Sequence, residues 1–66
     1  MGTIEIEHNG KVYQAEYHVT ANIVTVHGDS GSESTQLGGL SEGQVAKLLL
    51  RNLARKGYIQ PTFHDG

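Results

Sequence analysis

The stretch Thr3-Ile4-Glu5-Ile6-Glu7-His8-Asn9-Gly10-Lys11-Val12-Tyr13-Gln14-Ala15-Glu16-Tyr17 decides the fold. Ile4 and Ile6 alternate with Thr3, Glu5 and Glu7, the period-two pattern of a strand with one buried face. Asn9-Gly10 is the preferred pair for a two-residue type I′ hairpin turn, because both residues tolerate positive φ. Such a turn sets His8 opposite Lys11, Ile6 opposite Tyr13 and Ile4 opposite Ala15. Every apolar residue then falls on one side. Turn chemistry and periodicity are independent signals, and here they agree.

Working outward, Tyr13, Ala15, Tyr17 and Val19 extend the inward face of a second strand over residues 11–19. Gln14, Glu16 and His18 point outward. A short turn around residues 20–22 leads to a third strand over 23–27, with Val24 and Val26 inward. Pairing Tyr17 with Val24 or with Val26 preserves the faces, so the register of strands two and three stays open. Residues 28–40 are rich in Gly and Ser. A turn over 29–32 would let 33–37 pair as a fourth strand, with Thr35 and Leu37 on the core face.

Ser41 followed by Gln44 forms a capping-box pattern at the start of a helix over about 42–56. Val45, Ala46, Leu49, Leu50 and Leu53 recur at helical spacing and build a broad apolar face, flanked by Leu48. Gly57 stands where a left-handed residue ends a helix, with Tyr58 placed to pack back on Leu53. Pro61 opposes continuation, and the tail over 58–66 is expected to be partly frayed unless Phe63 docks. The fold class is therefore α+β: a three-stranded antiparallel meander, four-stranded if 33–37 pairs, covered on one face by a single C-terminal helix. The whole chain, 1–66, is expected to form one domain.

The 66 residues include no cysteine, which excludes disulfides, cysteine-ligated zinc and cysteine nucleophiles. Ordering opposes folding by roughly 1.5 kcal/mol per residue, so a chain this short retains only a few kcal/mol of net stability. No apolar run approaches the roughly 18 residues that span a bilayer. The N-terminal residues lack the basic and apolar regions of a signal peptide. A cytoplasmic setting without membrane contact is the expectation.

Gly28-Asp29-Ser30-Gly31 resembles the nucleophile segment of chymotrypsin-type serine proteases. That resemblance would imply Ser30 as nucleophile, with a histidine and a carboxylate brought from distant segments. The chain is too short for the two-barrel scaffold, and a Gly/Ser turn accounts for the four residues. In element order alone, three strands followed by one helix are similar to the integrase arm-type DNA-binding domains, which read DNA with the sheet. Thr3, Glu5, Glu7 and Glu16 on the corresponding face would repel phosphate, so the order of elements transfers no function.

His18 and His27 share the outward face with Glu16, and such a set could approach a zinc site if the register allowed. No His-x₃-His spacing supports it, so neither a metal nor any other cofactor is expected, and no catalytic residue is assigned. Gly38-Gly39-Leu40-Ser41 opens the helix, whose free N–H groups favour anions. It lacks the spacing and lysine of a nucleotide-binding loop.

Charge is unevenly spread. Residues 1–42 hold Lys11 against Glu5, Glu7, Glu16, Asp29, Glu33 and Glu42, while 43–66 hold Lys47, Arg51, Arg55 and Lys56 against Asp65. Lys47, Arg51 and Arg55 recur every four residues opposite the apolar face, a stripe able to meet an acidic partner or a phosphate backbone. The expected function is a small non-enzymatic protein-interaction domain, self-associating or binding another protein through Leu48 and Leu50 at the margins of the helix stripe. Nucleic-acid binding through Lys47, Arg51 and Arg55 is the alternative, and catalysis on the His/Glu face a distant third.

Overall fold

In a computed structural model that describes residues 2–62, the elements run β1 (Gly2–His8), β2 (Lys11–Thr20), β3 (Ile23–His27), β4 (Ser32–Gln36) and α1 (Glu42–Lys56). The four strands pair antiparallel in chain order, and α1 lies against one face of the sheet. Fold class and strand order follow the expectation, with the fourth strand present.

The first hairpin has the expected register, Ile4 opposite Ala15, Ile6 opposite Tyr13 and His8 opposite Lys11. Asn9 and Gly10 take φ of 54° and 76°, the positive values of a type I′ turn. A second turn of the same kind closes at Ala21-Asn22, with φ of 51° and 65°. It puts Tyr17 opposite Val26 and Val19 opposite Val24, choosing one of the two registers that the apolar pattern permits. The turn stands where it was expected; alanine is an uncommon residue at positive φ, which explains why the sequence left its type and the register open.

The loop before β4 is Gly28 to Gly31, closed by the Gly28 N–H donating to the Gly31 carbonyl at 2.7 Å. Thr35 opposes Val24 on the helix side but remains exposed. Leu37, just beyond the strand, is half-buried against the core, and its N–H donates to the Asn22 carbonyl. Glu33 opposes Val26 on the same side, and its carboxylate meets the Lys56 ammonium at 3.0 Å. A solvated pair of this kind contributes at most about 1 kcal/mol.

The core joins Ile4, Ile6, Tyr13, Ala15, Val24 and Val26 from the sheet to Val45, Ala46, Leu49, Leu50 and Leu53 from the helix. Both helix ends are closed locally. The Gln44 N–H donates to Ser41 Oγ while the Ser41 N–H donates to Gln44 Oε1. At the other end Gly57, at φ 79°, donates to the Ala54 carbonyl and Tyr58 to the Leu53 carbonyl, the two bonds of a Schellman motif.

Two expectations change. Leu50 is fully buried rather than marginal. At 3.6 residues per turn it lies about 70° from the centre of the buried arc that runs from Val45 to itself, whereas Leu48 lies about 130° away on the other side. The sheet covers the first angle and not the second. The tail also does not fray where the helix ends: Ile59 is buried, and hydrogen bonds continue to Thr62. Phe63, with the rest of the tail, lies outside the described residues.

Leu50→Ala should therefore cost about 2–5 kcal/mol and bring so small a domain close to unfolding. Leu48→Ala should stay within about 0.5 kcal/mol of the parent in the same urea titration. Ala21→Asn should raise stability by roughly 0.5–1 kcal/mol by relieving a non-glycine residue at positive φ. An unchanged or lower urea midpoint would remove that account of the second turn.

Candidate functional site

The Gly28-Asp29-Ser30-Gly31 segment performs a structural task. The N–H groups of Asp29 and Ser30 both donate to the Tyr58 carbonyl, at 2.8 and 3.0 Å. The Asp29 carboxylate accepts from the Gln60 N–H at 2.8 Å. A methyl group on Gly28 would stand 2.7 Å from the Tyr58 carbonyl oxygen, and one on Gly31 would stand 2.9 Å from the Tyr58 ring. Both positions therefore require glycine so that the chain leaving the helix can lie across the loop. The Asp29 carboxylate binds a backbone amide and, among the described residues, no histidine. The protease resemblance ends at the four letters.

The same tail serves the sheet. β3 pairs with the Tyr17–Thr20 end of β2, and among the described residues no strand covers the backbone nearer Lys11 on that side. The Thr62 N–H reaches this edge and donates to the Val12 carbonyl at 2.7 Å. Ile59 meanwhile enters the core. The tail thus closes one open stretch of sheet edge, where exposed strand groups invite foreign pairing.

The outward sheet face carries Thr3, Glu5, Glu7, Gln14, Glu16, His18, Thr25 and His27, as the alternation predicts. His18 and His27 come together, with His18 Nδ1 and His27 Nε2 3.1 Å apart and the rings stacked at 5.0 Å between centroids. Glu16 is not gathered into a metal-binding set with them; among the described residues no three such side chains converge. Among the described residues His8 has no second imidazole beside it. It contacts Asn9 and tilts against Tyr13.

At the helix start, the capping box already engages the Ser41 and Gln44 N–H groups, and Glu42 adds a negative charge beside them. That leaves little to hold an anion. No described helix is long and apolar enough to cross a membrane.

The outer face of α1 is the remaining candidate. Lys47, Arg51 and Arg55 are exposed there, and Arg55 donates to Asn52 Oδ1 at 2.9 Å. Leu48 and Leu40 are also open to solvent, at 49% and 48%. Leu40, Gln44, Lys47, Leu48 and Arg51 line one shallow groove. Of the two leucines expected to form an interaction surface, only Leu48 is available; Leu50 belongs to the core. Sequence reasoning missed Leu40, whose position in the Gly-rich loop carries no periodic signal. Comparison with protein-family models, curated proteins and solved structures found no match to this chain.

Removing the Asp29 carboxylate tests the tail's attachment. Asp29→Ala should cost about 1 kcal/mol and accelerate amide hydrogen exchange at Gln60 far more than at Leu50. Equal acceleration at both amides would mean that the tail is held by something else.

Proposed function

We propose that this chain is a cytoplasmic protein-interaction domain that acts by binding rather than by catalysis, using the outer face of α1. The observation that supports this reading is the juxtaposition of two half-exposed leucines, Leu40 and Leu48, with Lys47 and Arg51 around one groove. Apolar surface beside cations suits a protein segment that offers an apolar anchor next to carboxylates. An acidic peptide with a leucine or phenylalanine anchor is the partner of that chemistry.

Charge argues against the alternatives. Two-fold pairing of this face with a second copy would oppose Lys47, Arg51 and Arg55 to their own equivalents, and like charges across an interface are unfavourable. A nucleic acid would engage the three cations but leave the leucines idle, and the acidic outward sheet face would repel its flanks. Self-association and nucleic-acid binding are therefore outcomes for the test to expose.

A synthetic acidic peptide with alternating glutamate and leucine serves as the probe, with single-stranded DNA and RNA oligonucleotides beside it at matched salt. Amide shifts should move at Leu40, Lys47, Leu48 and Arg51 with peptide. Leu48→Glu and Arg51→Glu should each weaken binding at least tenfold, which is about 1.4 kcal/mol. Tighter binding of an oligonucleotide through the same residues would reject this reading in favour of nucleic acid. Sedimentation that shifts with concentration and is abolished by Leu48→Glu would replace it with self-association.

A further inference from the structure

The outward sheet face holds a second feature, independent of the helix groove. His18 on β2 and His27 on β3 come from neighbouring strands, and the β2–β3 register sets His18 opposite Thr25, so His27 stands diagonally across from it. Both side chains lie on the face that α1 leaves open, with His27 exposed and His18 half-exposed. Their facing nitrogens, Nδ1 of His18 and Nε2 of His27, are 3.1 Å apart. One ring's N–H donates to the lone pair of the other, and the shared proton occupies the place between them.

We propose that this pair is a surface site for a divalent transition-metal ion of the copper, nickel or zinc class, which takes the place of the shared proton. Imidazole nitrogens bind such ions at about 2.0–2.1 Å, and at that length a 3.1 Å separation subtends roughly 100° at the metal. That angle falls between the right angle of a tetragonal copper or nickel centre and the tetrahedral angle of zinc. Both lone pairs must turn toward a common point, a small rotation for side chains that solvent bounds on one side. Glu16, two residues before His18 on β2, shares the outward face but does not join the pair as a third ligand. Thr25 Oγ1, the nearest cross-strand hydroxyl, is hydrogen-bonded to Ser34 Oγ at 2.9 Å.

Two protein nitrogens make an open site, since structural zinc takes four protein ligands. The remaining coordination positions go to water, so the bound ion exchanges readily. Because the two ligands come from adjacent strands, a bound ion also clips β2 to β3 and stabilises the fold by mass action.

Titration of the full chain with copper(II), nickel(II) and zinc(II) chlorides at neutral pH tests this, read by nuclear magnetic resonance and thermal melting. Copper should broaden signals first around His18 and His27, with affinity greater than for nickel or zinc. All three ions should raise the melting temperature. His18→Gln and His27→Gln should each weaken binding at least tenfold, while His8→Gln leaves it unchanged. Broadening at His8 equal to that at His18 and His27 would overturn the assignment, and the unmodified protein alone suffices for that reading. Single variants that bind as tightly as the parent would overturn it too.

Discussion

Everything in this molecule depends on one contact, the six buried side chains on the inward face of β1, β2 and β3 against the leucine-rich face of α1. Among the described residues there is no second core, and a sequence of 66 residues without cysteine has no disulfide to fall back on. Val24, Val26, Leu50 and Leu53 are wholly excluded from water, and they form its centre. Burial at roughly 25 cal/mol per Å² of apolar surface must offset the ordering of nearly every residue. The consequence is economy of parts. A sheet with one dry face and one wet face needs a single helix, and that helix needs firm ends, which the capping box and the Schellman motif provide.

Economy extends to the chain beyond the helix. Tyr58, Gln60 and Thr62 use backbone groups to bind the β3–β4 loop and the open edge of β2, while Ile59 adds one more buried side chain. A segment that resembles a catalytic motif is occupied in holding this tail. Its glycines leave room for the Tyr58 carbonyl and ring, and its aspartate accepts a backbone proton. Small polar residues in a tight loop are often chosen for such backbone service, which is why four letters taken out of context mislead.

The segregation of charge follows from the same layout. The outward face of the sheet gathers glutamates, and the outward face of the helix gathers lysine and arginine, so the two wet surfaces of the domain differ in sign. Such a separation leaves each face selective for a different class of ligand. On the helix, cations frame exposed leucines. On the sheet, two imidazoles from neighbouring strands meet.

Local chemistry made much of this legible in advance. Alternation marked the inward residues of β1 to β3, Asn9-Gly10 set the first hairpin's register, and Ser41, Gln44 and Gly57 bounded the helix. Each of these signals acts within a few residues, where side-chain period and turn preference are strong. Periodicity states which way a residue faces, but not where along its neighbour a strand pairs or how wide an arc a sheet can cover. The Tyr17–Val26 register, the burial of Leu50 beside the exposure of Leu48, the tail's hold on Asp29 and the meeting of His18 with His27 were therefore decided only in three dimensions. In each case residues distant in sequence had to be brought together before the outcome existed.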